Sequence, residues 1–223
     1  MAKGLIEKRN LDEEIYDLII GKIINSDFEQ GQQLRINDLI QEFGVSRTPI
    51  VQAIKKLVSE DILVVNKTGK VFLPVFSQKQ IQDIYDVRMM LEKGAVAHLC
   101  AIEDRSRLVQ ALRTQNDRCR VNLECAEVEA YRREDLQLHR DVVNAVGNHC
   151  LFNSYIRVQN LFMVANYLSG SHNMNQQRQS LEEHEVLIDA IEAGDSDGAA
   201  RAVETHIRGA LERVGIGRAS ACS

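Results

Sequence analysis

Four residues in the second half of the chain have the types and spacing to hold a metal ion. Asp135 and His139 lie four residues apart in a segment whose apolar positions, Val128, Tyr131, Val142 and Val146, recur with helical period, so both point inward from one helix face. His184 shares a second stripe with Leu181, Ile188 and Ile191, and His206 a third with Ala199, Val203 and Ala210. A carboxylate and three imidazoles from three helices are thus expected to converge on one interior. A buried, unpartnered carboxylate is costly, and such groups persist by pairing or by binding metal. Three imidazole nitrogens and one carboxylate oxygen suit Zn, Ni, Mn or Fe, and inward projection from bundle helices builds such sites. Each histidine taken alone is more often a hydrogen-bonded core residue; their joint placement shifts the balance toward the metal. His98, near the stripe of Leu91 and Ala95, is expected to be structural, while His149 and His172 fall at a helix start and in a loop.

Arg88 is a further polar interruption, on the stripe Ile81, Ile84, Leu91, Ala95. A buried guanidinium needs an anion. Glu92, one turn on, is the simpler partner; a ligand carboxylate held bidentately is the alternative.

The elements that must position these groups are helices. From Ser77 onward every long segment has helical periodicity, giving helices over Ser77–Ile102, Asp104–Cys125, Glu127–Gly147, Cys150–Leu168, Gln176–Ala193 and Ser196–Val214. Ser77 with Gln80, Asp104 and Asp195 are suited to cap them, and Gly147 and Gly194 to stop them. Before Ser77 the pattern differs. Asn10 and Glu13 resemble a capping pair ahead of Leu11, Ile15, Leu18, Ile19 and Ile23 at helical spacing, and a turn at Gln30-Gly31 follows. A short helix over Asn37–Phe43 ends at Gly44, and Ser46 caps a third helix with Pro49 in its first turn and Ile50, Ile54 and Leu57 facing inward. Helix, four-residue turn, helix is the spacing of a helix-turn-helix, whose second helix can enter the DNA major groove. Arg47, Val51, Gln52 and Lys55 lie off its inward stripe. Ile62–Val65 and Val71–Leu73, joined through Asn66-Lys67-Thr68-Gly69-Lys70, read as a β-hairpin, a wing with a basic tip at Lys67 and Lys70 suited to phosphate or the minor groove.

Composition agrees with two modules. The 223 residues are 44% hydrophobic and 26% charged, with no Trp and two Pro, as in ordinary folded, helix-rich proteins. The net charge of −5 argues against blanket polyanion binding, so a nucleic-acid role must rest on a local patch. Between Val45 and Lys70 five positive residues stand against Glu60 and Asp61. The early residues show no secretory signal, and Leu18–Ile24, broken by Lys22, is too short to span a bilayer, so no membrane partner is expected. Five scattered cysteines, Cys100, Cys119, Cys125, Cys150 and Cys222, form no CxxC pair and suit reduced thiols in a cytoplasm. The expected architecture is mostly α: a winged helix-turn-helix over 1–76, an all-helical domain over 77–215, and a tail at 216–223.

The segment Leu34–Leu57, LRINDLIQEFGVSRTPIVQAIKKL, with its GVSRTP core, and the wing resemble the GntR superfamily of bacterial winged-helix transcription regulators. The resemblance implies that Arg47, Thr48 and Gly69 touch double-stranded DNA. Relatives usually carry Arg where this chain has Val51, and some carry one near Asn37, so operator sequence does not transfer from them. Groove chemistry allows Val51 a thymine methyl and Gln52 an adenine edge. The remainder, over about Gln78–Val214, resembles the FCD effector domain of the FadR subfamily, through Arg88 and Glu92 in VRMMLE, Asp135 and His139 in DLQLH, Gly147-Asn148, His184 in EEHEVLIDAIEAGD and His206 in ETHI. This implies a bundle of six to seven helices, a metal on Asp135, His139, His184 and His206 with positions open to a small organic acid, and a homodimer that is commonly a repressor released from a palindromic operator. Acid binding would shift helices around Pro74–Gln80. Two alternatives stand beside it. The metal could itself be the signal or a structural staple, or it could activate water in an enzyme. Against an enzyme, His184-Glu185 begins an HExxH pattern that Ile188 breaks, and GxSxG, P-loop and GxGxxG motifs are missing.

Overall fold

A computed structural model describes residues 11–24, 28–168 and 174–213. The expected cap at Asn10, His172, Cys222 and the tail over 216–223 lie outside them. The chain divides into two compact units, one running to Phe76 and including Met163–Leu168, the other comprising the rest from Ser77.

The first unit contains α1 (Leu11–Ile24), α2 (Ile36–Phe43), α3 (Arg47–Ser59) and a small sheet of β1 (Gln33–Leu34), β2 (Val64–Val65) and β3 (Val71–Phe72), with α1 and α2 both packed on α3. The strands run antiparallel in the order β1-β3-β2. Strand β1 was absent from the expected hairpin; its two residues pair Gln33 with Phe72 and Leu34 with Val71 and are too few to show alternation. Ile15, Ile19, Ile23, Leu39, Ile50, Ile54, Leu57, Ile62 and Leu73 make the core. Leu11 and Leu18, expected on the inward stripe of α1, are instead exposed, and Tyr16 and Ile20 take their place. Gly44 ends α2 at φ 63°, its N–H bonded to the Ile40 carbonyl, a left-handed conformation that glycine adopts without steric cost. Ser46 occupies the N-cap of α3 with extended backbone, but its hydroxyl makes no capping bond.

The second unit contains α4 (Gln78–Cys100), α5 (Ser106–Glu124), α6 (Val128–Asn144), most of α7 (His149–Leu168), α8 (Met174–Ala193) and α9 (Ser196–Arg213). Ser77 and Gln80 form the expected reciprocal cap: the Gln80 N–H donates to Ser77 Oγ at 3.2 Å and the Ser77 N–H to Gln80 Oε1 at 2.9 Å. Asp104 stands one residue before the N-cap Arg105 and accepts from the Ser106 N–H at 3.0 Å instead. Helix α4 packs on α9, α6 and α8, and α5 on α6 and α8, so the inward stripes of α4, α6, α8 and α9 share one interior. Among the described residues no helix is long and apolar enough to cross a membrane.

Candidate metal centre

Helix α6 places His139 in that interior, α8 places His184 and α9 places His206; all three are buried. Their rings sit 4.7 to 5.0 Å apart between centroids, and one ligand atom from each lies within 4.8 Å of the others. The Nε2 atoms of His139 and His184 are 3.2 Å apart. Asp135 joins through His184, its Oδ1 lying 3.6 Å from His184 Nε2. The same oxygen accepts from Tyr131 Oη at 3.2 Å and Ser180 Oγ at 3.3 Å. Of the four side chains Asp135 alone keeps appreciable exposure, 21%. His98, expected to be structural, is exposed on α4, because the inward face there is filled by Ala95, Val96 and Leu99.

Each imidazole is held from behind. His139 Nδ1 meets Glu92 Oε2 at 2.9 Å, His206 Nδ1 meets Glu183 Oε2 at 2.9 Å, and His184 Nδ1 meets Asn116 Oδ1 at 3.2 Å. Carboxylate oxygens only accept, so His139 and His206 carry their protons on Nδ1. The Asn116 amide nitrogen donates to the Leu181 carbonyl at 3.3 Å and to Glu185 Oε1 at 2.8 Å, which leaves its oxygen facing His184 and puts that proton on Nδ1 too. With Nδ1 engaged outward on each ring, Nε2 is the atom left to face the shared interior, and the His139 and His184 Nε2 atoms meet at 3.2 Å, where a shared proton or a cation can join them. Two nitrogens bound to one tetrahedral ion at about 2.0–2.1 Å would stand roughly 3.3–3.4 Å apart, close to the His139–His184 separation. Outer partners of this kind orient metal-binding histidines and raise their basicity, so the residues present fit a transition metal.

Burial pushes His184 and His206 well below the usual histidine range, with neighbouring imidazole charges acting in the same direction. Burial would raise Asp135, but its place beside His184, His139, His206 and Arg88 favours the carboxylate and leaves it lowered. In the metal-free protein His184 and His206 stay neutral when folded and take protons only when unfolded, so stability is fully present above about pH 6.5 and falls as pH drops below it. Two protons correspond to a slope of up to about 2.7 kcal/mol per pH unit, measurable by urea unfolding between about pH 5 and 7. A flat profile there would contradict the assigned protonation.

Arg88 and Glu92 are both 1% exposed, and Arg88 Nε donates to Glu92 Oε1 at 2.6 Å, so the simpler of the two expected partners is in place. Tyr155 Oη donates to the same oxygen at 2.9 Å, and the guanidinium lies 4.2 Å from the Phe162 ring centroid. Burial opposes both charges, but each holds the other: Arg88 is raised by Glu92, and Glu92 is held well below the usual carboxylate range by Arg88 and His139. Among the described residues, Arg88 Nη2 has no hydrogen-bond partner although buried, and neither has Gln177 Oε1.

On the first unit, Arg47, Thr48, Gln52, Lys55, Lys67, Gly69 and Lys70 are exposed and Val51 is half-buried. Arg47 Nη1 lies 3.4 Å from Asn37 Oδ1. The wing turn is organised by Asn66, a residue without an assigned role in the sequence reasoning: its Oδ1 accepts from the Thr68 N–H, the Thr68 hydroxyl and the Lys70 N–H at 2.8 to 3.0 Å. With Gly69 at φ 75°, this bond set fixes the loop that presents Lys67 and Lys70.

Comparison with known proteins agrees with these two units. Residues 11–73 match the family described as bacterial regulatory proteins, gntR family, and residues 83–209 match the FCD domain. The gluconate operon transcriptional repressor of Bacillus subtilis is 28% identical over 181 residues, covering 78% of this chain and 72% of that protein. A putative L-lactate dehydrogenase operon regulatory protein of Escherichia coli is 25% identical over 233 residues, covering 91% and 86%. Among solved structures, E. coli McbR/YncC superposes with a TM-score of 0.81 at 18% identity over 92% of this chain and 97% of that one. A GntR-type regulator from Rhodococcus gives 0.75 at 18% identity over 91% and 96%. These two likenesses bear on the fold. With the FCD model covering more than half of its length and the gntR model matching its winged helix, the chain belongs to the gntR family of bacterial transcription regulators, in the branch that carries an FCD domain.

Proposed function

We propose that this regulator is a homodimeric repressor on a palindromic operator, released when a small carboxylate binds beside a divalent metal held by Asp135, His139, His184 and His206. The observation that carries the proposal is the set of three inward Nε2 atoms whose Nδ1 atoms are already engaged, with an unpaired Arg88 Nη2 on the neighbouring helix. When bound, the ion supplies positive charge and open coordination positions for ligand oxygens. Zn, Ni, Mn and Fe all suit the donor set, and cellular supply decides among them.

The chain's own residues do the rest. Arg88 offers Nη2 to a carboxylate oxygen while its Nε stays on Glu92, and Glu92 in turn grips His139, so the acid subsite and the metal ligands share one buried carboxylate. A hydroxy acid would offer its carboxylate to Arg88 Nη2 and its hydroxyl to the ion. The relatives named for gluconate and L-lactate dehydrogenase operons point to the same chemical class.

On DNA, two copies of α3 occupy half-sites about one helical turn apart. Arg47 and Thr48 sit at its N-terminus, Val51, Gln52 and Lys55 face the bases and flanking phosphates, and the Lys67-Gly69-Lys70 wing tip rests on the backbone. Changing Val51→Ala and Gln52→Ala together is expected to relax base preference within the footprint, each lost base contact weakening the specific site by roughly 1–3 kcal/mol. An unchanged footprint would remove both from base recognition.

The acid acts only through different affinities in the DNA-bound and free arrangements, and the coupling is reciprocal. Operator affinity is measured with metal-stripped and metal-loaded protein, each with and without a hydroxy acid such as gluconate or lactate. The acid is expected to weaken operator binding only when metal is present, and operator to weaken acid binding by the same factor. Equal acid affinity with and without operator would overturn the release mechanism, and a response to metal alone would make the metal the signal.

A further inference from the structure

Helix α5 contributes no donor to the histidine group, yet it sends one wholly buried polar side chain to it. We infer that Asn116 is a positioning residue for His184, holding its Nδ1–H so that a bare Nε2 faces the shared point. The inference rests on the metal centre proposed above and assigns α5 a part in it.

The amide cannot turn over. Its two N–H donors are taken by the Leu181 carbonyl at 3.3 Å and Glu185 Oε1 at 2.8 Å, both acceptors only, so Oδ1 is the atom left for the ring at 3.2 Å. Glu185 is fixed from the outside by Arg120 Nη2 at 2.8 Å and Arg113 Nη1 at 3.4 Å. A hydrogen-bonded line thus runs from two partly exposed arginines through Glu185 and Asn116 to His184. Leu181 and Glu185 lie on the same helix as His184, one turn before it and one residue after, so Asn116 pins α8 and the ring together.

The other two rings differ in one respect. His139 and His206 rest on carboxylates, Glu92 and Glu183, whereas His184 rests on a neutral amide. A carboxylate partner makes an imidazole a stronger donor; an amide fixes direction and tautomer without adding charge. Aspartate at this position would set a second carboxylate against Glu185, which explains why the amide suits the place.

The test uses full-length protein carrying isotope-labelled histidine, stripped of metal, with long-range proton–nitrogen correlation reading the tautomer of each ring. Wild type is expected to show His184 as a single Nδ1–H tautomer. Asn116→Leu, which keeps the branched shape without the hydrogen-bonding atoms, is expected to give a mixture of tautomers and zinc binding weaker by about 10- to 100-fold in chelator competition. Wild-type His184 protonated on Nε2 would overturn the proposal even if the variant does not fold. Unchanged tautomer and zinc affinity in Asn116→Leu would overturn it as well. The Nδ1–H tautomer in a wild type that takes up no zinc would uphold the hold of Asn116 on the ring and overturn the metal centre instead.

Discussion

Replacing Arg88 with methionine is expected to destabilise the helical domain by about 3–5 kcal/mol, because it leaves the Glu92 carboxylate buried without its cation. Arg88 and Glu92 are each 1% exposed, so solvent cannot take over. For a domain of this size that is a melting shift on the order of 10 °C. The variant Arg88→Met with Glu92→Leu should recover part of the loss, since a well-packed apolar pair can replace a buried ion pair at little cost. Recovery stops short of wild type. His139 Nδ1 and Tyr155 Oη would both lose their acceptor, a penalty of about 1–3 kcal/mol for each buried group. Thermal unfolding of the metal-free proteins reads these differences. A single variant within about 1 kcal/mol of wild type would mean that Glu92 finds another cation or a proton, against its strongly lowered pKa.

His184→Gln is expected to weaken metal binding by more than 100-fold, beyond the about 10- to 100-fold typical of losing an outer partner. His184 lies in the middle of the group: its Nε2 is 3.2 Å from His139 Nε2 and 3.6 Å from Asp135 Oδ1. The control is His98→Gln, whose exposed ring lies outside the group of three and should leave affinity unchanged. Metal titration of the two variants beside wild type separates a centre built on particular nitrogens from loose uptake by surface histidines. Equal affinity for all three proteins would place the ion elsewhere.

Much of this arrangement was legible as periodicity. The stripes through His139, His184 and His206 put polar residues where apolar ones were due, and helical spacing alone turned them inward. The helix-turn-helix was legible through Gly44, Ser46 and Pro49, whose conformational preferences mark where one helix ends and the next begins. Glu92 was visible as the partner of Arg88, but its second grip, on His139 of another helix, was not; tertiary contacts between helices carry no period. Asn116 and Glu183 escaped for the same reason, since a buried Asn on α5 or a Glu in a run of acids looks like any polar interruption. Strand β1 is too short to announce itself, and α1 misled because Leu11 and Leu18 keep helical spacing while facing outward. An apolar residue at the right interval is permitted inside; packing decides whether it goes there.

If three buried imidazoles hold one ion per chain in a dimer, native mass spectrometry of gently purified protein reads both the ion and the pairing at once. The expected spectrum is a dimer carrying two divalent metal ions, with any retained acid as added mass, and a chelator should strip both ions and leave the dimer mass. A protein that emerges without metal and takes up none of zinc, nickel, manganese or iron when offered them would contradict the claim.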